Sequence, residues 1–149
     1  MSLKETDIMN WGECEKKFIR NVEIDEERIN SIVKKALQRL KRAEDTNVSE
    51  ENVSFIVEDY YEVVKELLVA YLLKNGLRSK NHQCLISYFY KQNPNYENEA
   101  FLISQMSFFR NRLDYYGEDI PVAFYLKNKE EFKRIINLVL ELIGNKIKK

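Results

Sequence analysis

Hydrophobic residues recur at intervals of three and four along most of the chain, which is the pattern of helices with one buried face. The clearest stretch follows Ser49, which we expect to cap a helix, and ends at Asn75-Gly76, where glycine can adopt the left-handed conformation. Its apolar positions are Val53, Ile56, Val57, Tyr60, Val64, Leu67, Leu68 and Tyr71. We interpret this segment as the strongest amphipathic helix of the chain.

A second helical pattern begins after Asp25, a plausible N-cap, and ends at a polar break over residues 44–49. The face opposite its apolar positions is basic and carries Arg28, Lys34, Lys35, Arg39, Lys41 and Arg42. We interpret it as a solvated helix face. The alternative is a surface that follows the phosphates of a nucleic acid, which would make binding depend on salt.

Three further segments are predicted to be helical. The first, from about Leu3 to Arg20, has only a weak pattern. Ser79 is expected to cap a short helix in which His82 is about the fourth residue. A longer helix is expected from about Asn98 to Tyr116, ended by the glycine and proline that follow it.

The last helix is expected to begin near Asn128, because Asn128 and Glu131 resemble a capping box. Four glycines and two prolines among 149 residues favour long elements, and no segment shows strand alternation, an internal repeat or a linker. We therefore predict an all-α fold, an up-and-down bundle of four to five helices in a single domain over residues 1–149. Residues 1–24 would be a helical extension of that domain.

The composition indicates a cytoplasmic protein without a membrane partner. No apolar run reaches the roughly 18 residues of a membrane span, and the N-terminus lacks the apolar core of a signal peptide. Cys14 and Cys84 stand far apart without a metal-binding pattern, so we expect two reduced thiols. The 24 basic and 24 acidic residues cancel, which argues against wholesale coating by nucleic acid but allows a local basic surface.

The sequence contains no nucleotide-binding glycine motif and no metal-ligand motif, so we predict neither a cofactor nor a metal. His82, the single histidine, is expected to be partly buried with one hydrogen bond, in the neutral form that a helix N-terminus favours. Alternatively it is a site residue that faces Arg110. Arg110 and Asp114 lie four residues apart and can form an ordinary ion pair on a helix.

Two stretches together favour a functional role for His82 and Arg110 over a structural one. They are VVKELLVAYLLKNGLRSKNHQCLISYF, residues 63–89, and FFRNRLDYYG, residues 108–117. They resemble the HEPN superfamily, specifically its small stand-alone prokaryotic branch. In that branch a long helix ends in a glycine turn, a short helix starts with a histidine, and a later helix ends in an Arg-Asn-x-x-Asp-Tyr motif. The corresponding residues here are 74–76, 81–86 and 110–115, and their order and spacing match over roughly residues 50–145.

The resemblance implies an all-helical homodimer with the motif-bearing helices near its two-fold axis. Many HEPN proteins are metal-independent ribonucleases, often toxins paired with a nucleotidyltransferase antitoxin, and their signature is an arginine followed four to six residues later by a histidine. Here Arg110 matches the arginine, but the histidine position is Tyr115. Gly117 stands where many toxins carry a tyrosine that the antitoxin modifies.

A tyrosine hydroxyl is a poor general base at neutral pH, so the resemblance favours binding over catalysis. We predict a HEPN-type module that binds nucleotide or RNA phosphate, or a nucleotidyltransferase partner as part of a toxin–antitoxin pair, through Arg110, Asn111, Asp114 and Tyr115. The first alternative is a weak metal-independent endoribonuclease in which Arg110 holds the phosphate and His82 or Tyr115 moves protons. The second is a purely structural interaction protein. The side chains of Leu113 and Tyr116 are expected to pack against the rest of the fold rather than to form the site.

Overall fold

The computed structural model describes residues 8–144, a helical bundle built around one central helix. The elements in chain order are α1 (Trp11–Lys17), β1 (Ile19–Asn21), α2 (Glu26–Asp45), α3 (Val53–Lys74), β2 (Leu77–Ser79), α4 (His82–Gln92), a 3₁₀ turn (Pro94–Tyr96), α5 (Glu97–Tyr116) and α6 (Val122–Ile143). This confirms the predicted all-α fold class, with six helices within residues 8–144 where four to five were expected.

Helix α3 is the core of the bundle, because α2, α4, α5 and α6 all pack against it. Its buried residues include Tyr61, Val63 and Ala70 as well as the predicted apolar positions, so burial covers most of its circumference and leaves one charged stripe. An apolar face this wide weakens the contrast between the two faces of a helix. The interpretation of this segment as the most one-sided helix is therefore wrong; α2, which buries a single stripe, is more clearly amphipathic.

Local signals at several helix ends are confirmed. The Asp25 carboxylate accepts a hydrogen bond from the backbone N–H of Arg28 at 3.1 Å, as an N-cap should. Gly76 and Gly117 follow α3 and α5 with φ of 73° and 65°, the left-handed conformation that glycine adopts without steric cost. These turns depend on residues close in sequence.

Two predicted caps are wrong. Ser49 does not begin α3; it exchanges hydrogen bonds with Asn52, and the helix starts at Val53. Ser79 lies in β2, and the Asn81 side chain caps α4 by accepting from the N–H of Gln83 at 2.8 Å. His82 is consequently the first residue of α4 rather than about the fourth.

The last helix also begins earlier than predicted. Helix α6 starts at Val122, directly after Pro121, and Asn128 lies inside it with its amide donating to the Phe124 carbonyl at 2.9 Å. The loop before it is attached to α3, because the N–H of Ile120 donates to Ser54 Oγ at 2.8 Å. The start of α6 is thus set by a long-range contact and a proline, and the capping-box prediction at Asn128 is wrong.

The predicted helix from about Leu3 to Arg20 is only partly correct. Helix α1 covers Trp11–Lys17, and the chain then forms β1, which pairs antiparallel with β2 so that Ile19 lies opposite Ser79. Strands of three residues are too short to show alternation in a sequence. Residues 1–7 lie outside the described part of the chain.

The prediction of two reduced thiols is wrong. The Sγ atoms of Cys14 and Cys84 form a disulfide between α1 and α4, and both residues are fully buried. The helices bring the two Cα atoms to 5.6 Å, within bonding range, although 70 residues separate them in sequence. Disulfides are more common in oxidising compartments, so this bond weakens the cytoplasmic prediction.

The basic face of α2 is largely exposed, as predicted, and only Arg39 is partly buried, but two of its arginines also contact carboxylates. Arg39 Nε lies 3.3 Å from Glu66, and Arg42 Nη2 lies 3.0 Å from Asp59, both on α3. Across residues 8–144, no helix is long and apolar enough to cross a membrane.

Candidate functional site

A cleft where α3, α4 and α5 meet brings most of the predicted site residues together. Its volume is about 330 Å³, and its lining is Phe18, Tyr61, Lys80, Asn81, His82, Gln83, Ser107, Arg110, Asn111 and Tyr115. His82 comes from the first turn of α4, and the others of the predicted set come from the end of α5. Asp114 does not line the cleft and contacts Arg110 from behind.

Arg110 is held by three neighbours and is the centre of the site. Its Nη2 lies 3.2 Å from Glu62 Oε2, its Nε lies 3.1 Å from Asp114 Oδ2, and its Nη1 donates to Asn111 Oδ1 at 3.3 Å. The predicted ion pair with Asp114 is therefore present. The contact with Glu62 of α3 was not predicted, since 48 residues separate the two.

Two atoms of this cluster have no hydrogen bond to the described part of the chain. Arg110 Nε and Glu62 Oε2 are buried, and their ion-pair contacts lack the angles of hydrogen bonds. Buried polar atoms are nearly always satisfied in folded proteins. The two atoms are therefore held by the attraction between opposite charges at 3.1–3.2 Å rather than by hydrogen bonds.

Glu58 adds a further carboxylate to the cluster. Burial, a hydrogen bond with Asp114 and the charges of Asp114 and Glu62 raise its pKa to about 7, while Arg110 opposes the rise. Glu58 therefore exchanges a proton near neutral pH. The sequence held a signal for these residues that we missed: Glu58 and Glu62 lie one turn apart in a charged stripe of α3 that also contains Asp59, Lys65 and Glu66.

His82 lies at the cleft in the predicted neutral form. It is an exposed residue, yet burial of its ring lowers its pKa, the charges of Lys65 and Arg110 lower it further, and Glu62 opposes them. The expected cause, the helix N-terminus, is not needed. The charge of Arg110 acts on His82 and both line one cleft, so the structure brings together the two residues that the alternative interpretation paired.

A polar network connects the three helices below the cleft. Gln83 Nε2 donates to Ser107 Oγ at 2.8 Å, which ties the first turn of α4 to α5. Ser107 also hydrogen-bonds with Tyr61 of α3, a tyrosine whose pKa burial raises. These bonds fix the floor of the cleft and orient the residues above it.

The end of α5 is more exposed than predicted. Tyr115 is 74% exposed at the mouth of the cleft, and Tyr116 is 69% exposed, so the prediction that Tyr116 packs is wrong. The Arg112 guanidinium lies 4.6 Å from the centre of the Tyr116 ring and bonds Glu118, and neither Arg112 nor Glu118 lines the cleft. Leu113 is partly buried against the core, as predicted.

The cleft contains donors suited to an anion, and no cluster of three or more metal-ligating side chains was found within residues 8–144. Comparisons of the whole chain with family models, with curated proteins and with solved structures found no match. The HEPN resemblance accordingly stays a hypothesis that rests on the sequence motifs, and the geometry of the cleft is what bears on function.

Proposed function

We propose that this chain is a HEPN-like module that binds the phosphate of a nucleotide or of RNA in the cleft between α3, α4 and α5. The observation that carries the proposal is that His82, Arg110, Asn111 and Tyr115, which come from two separate motifs, line a single cleft. Guanidinium, amide and phenol groups all donate to phosphate oxygens, and guanidinium can do so with two parallel bonds.

The charge balance of the site sets how such binding would behave. Glu62 and Asp114 already neutralise Arg110, so a phosphate must compete with them for the guanidinium. Lys80 at the cleft adds an exposed positive charge, and protonation of Glu58 removes a negative one. The site is therefore expected to bind anions more tightly at acid than at alkaline pH.

The test is equilibrium binding of a labelled single-stranded RNA and of uridine monophosphate to the wild type and to Arg110→Ala. We expect Arg110→Ala to abolish binding of both while the circular dichroism of the helices is unchanged. Arg112→Ala is the matched control, because Arg112 is two residues away and bonds Glu118 outside the cleft. Binding that survives in Arg110→Ala would contradict the site assignment.

The alternative of a weak ribonuclease is favoured by one observation, the neutral His82 beside Arg110. In such a reaction His82 would take the proton of the ribose 2′-hydroxyl. The 2′-oxygen would attack phosphorus, and the 5′-oxygen would leave with a proton from Tyr115 or water. Arg110 would neutralise the charge that develops on the phosphate. Cleavage of RNA without added metal by the wild type, and by neither Arg110→Ala nor His82→Ala, would establish this activity.

A homodimer and a nucleotidyltransferase partner remain part of the proposal. The exposed tyrosines at the end of α5, of which Tyr115 lines the cleft, are a surface on which a second chain could pack. Mass measurement in solution is expected to give twice the 17.8 kDa of one chain. If the protein is dimeric and binds no phosphate ligand at any pH, the purely structural interaction protein is the better description.

A further inference from the structure

We propose that a second cavity, which shares His82 with the Arg110 cleft, binds the neighbouring nucleoside and phosphate of single-stranded RNA. The ligand would then be an oligonucleotide that crosses His82, rather than a mononucleotide confined to the cleft. This inference rests on the proposed function, because it extends the same site.

The second cavity has a volume of about 200 Å³ and shares His82 with the first. Its floor is aliphatic and comes from α3, β2 and α4: Val69, Leu72, Leu73, Leu77 and Leu85. Its rim is polar and consists of Arg28, Arg78, Ser79 and His82. An apolar floor with a few polar groups at the rim is the usual composition of a small-molecule site.

The size of the cavity limits what it can hold. Pockets for drug-sized ligands measure roughly 300 Å³ or more, so a cavity of 200 Å³ accepts one ring system and not a whole nucleotide. A base or ribose would fit, with its phosphate outside at the arginines. Because the floor is aliphatic, it offers no aromatic stacking and no base-specific donors, and we expect little preference among bases.

The charges at the rim point to an anion. Arg28 and Arg78 are exposed and form no ion pair with the described residues, whereas Arg39, Arg42 and Arg134 each contact a carboxylate. No carboxylate lines this cavity. The two arginines are therefore free to bind phosphate oxygens.

The β ribbon provides an independent observation. Arg20 of β1 lies directly opposite Arg78 of β2 in the antiparallel register, and both are exposed. Like charges in directly opposite positions destabilise a strand pair. A phosphate placed between or beside them would relieve that repulsion.

Acidic residues limit the surface along which a bound RNA chain could continue. Four carboxylates line the adjoining cavity at the start of α2, which also includes Arg28 and Arg78: Glu23, Asp25, Glu26 and Glu27. These carboxylates would repel a phosphate that continued along α2. The path open to a polyanion consequently runs from the ribbon past His82 to Arg110, across two adjacent cavities.

The experiment compares Arg78→Ala with the wild type for two probes, a short fluorescein-labelled oligouridylate and uridine monophosphate. We expect the affinity for the oligouridylate to fall about tenfold, since one charge-assisted contact is lost. The dependence of log affinity on log salt concentration should become shallower by about 0.7, the value for one phosphate on a single strand. Binding of the mononucleotide should not change, because it occupies only the Arg110 cleft.

Two variants control the result. Arg78→Lys keeps the charge and should restore most of the affinity and the full salt dependence. Lys133→Ala removes an exposed cation from α6, which packs mainly against α3, and should alter neither. Circular dichroism establishes that each variant is folded.

The outcomes separate this inference from the proposed function. If Arg78→Ala binds the oligouridylate as the wild type does, while Arg110→Ala has lost uridine monophosphate, the second cavity is not a subsite and the cleft remains. If Arg78→Ala weakens both probes equally, the two-subsite arrangement is overturned. If the wild type binds neither probe, both proposals fail.

Discussion

Two clusters of ion pairs on α3 have opposite characters. At the first, Arg39 and Arg42 of α2 meet Asp59 and Glu66, so that two cations face two carboxylates. At the second, Arg110 of α5 meets Glu62 and Asp114, Glu58 lies beside them, and Lys65 lies 2.7 Å from Glu62. The first cluster is balanced, whereas three carboxylates surround the two cations of the second.

The two clusters also differ in their exposure to water. The Arg42 side chain is 65% exposed, and a pair so open to water contributes little to stability. The side chains of Arg110 and Glu62 are 23% and 16% exposed, and the cluster contains unsatisfied buried atoms and a carboxyl with a raised pKa. Such features concentrate at functional sites, and they support the proposed role of Arg110.

The largest expected difference between the surroundings of the two clusters comes from a disulfide bond. The Cys14–Cys84 disulfide attaches α1 to α4, the helix that carries His82 into the cleft, and no comparable bond supports the seam between α2 and α3. Replacing both cysteines by alanine should lower the free energy of unfolding by about 4 kcal/mol, from the length of the loop that the bond closes.

Urea unfolding measures this loss, with dithiothreitol treatment of the wild type as the second route to the same state. Identical unfolding curves for the oxidised wild type, the reduced wild type and the double variant would show that the disulfide contributes nothing.

The second prediction compares the arginines directly. Arg110→Ala leaves Glu62, Asp114 and Glu58 without their shared guanidinium, and should lower the free energy of unfolding by about 2 kcal/mol. Arg42→Ala breaks one exposed pair and should change it by about 0.5 kcal/mol or less. Urea unfolding of both variants measures the two losses in the free energy of unfolding. Equal losses would contradict the predicted difference between the clusters.

The third prediction concerns the pH dependence of stability. The pKa of Glu58 is higher in the folded chain, about 7, than its ordinary value of 4.5, so the folded state binds more protons between these pH values. Its contribution to stability is present at acid pH and is lost as the pH rises towards about 7. Glu58→Gln, which cannot ionise, should therefore be more stable than the wild type by about 1 kcal/mol above neutral pH, because solvent partly screens this site.

Thermal or urea unfolding at about pH 5 and about pH 8 would show this gain only at the higher pH. Asp59→Asn is the control from the other cluster, and its free energy of unfolding should fall by about 0.5 kcal/mol at both pH values. A Glu58→Gln variant that is less stable than the wild type at the higher pH would refute the proposed proton exchange.

The smallest expected effect is on ligand affinity. Protonation of Glu58 and His82 makes the surroundings of Arg110 more positive, so oligouridylate binding should strengthen several-fold from about pH 8 to about pH 6. In Glu58→Gln that dependence should be weaker and confined to the acid end, where His82 gains its proton. Anisotropy titrations across the pH range measure it, and parallel curves for wild type and variant would exclude Glu58 from control of the site.

The sequence alone determined the features that depend on nearby residues. Helical periodicity identified the segments of α2, α3, α5 and much of α6, and Asp25, Gly76 and Gly117 marked three of their ends correctly. An N-cap or a left-handed glycine acts over a few residues, so it can be recognised from the local sequence alone. The placement of Arg110 and Asp114 one helical turn apart was readable for the same reason.

Only the tertiary structure decided the features that join distant residues. Glu62 and Arg110, Cys14 and Cys84, and Ile19 and Ser79 are paired by the packing of helices, and no local pattern specifies such partners. Burial among those helices also raised the pKa of Glu58, since the cost of holding a charge depends on how much water the fold removes around it. The sequence thus supplied the arginine of the site, and the packing of α3 against α5 decided which charges surround it.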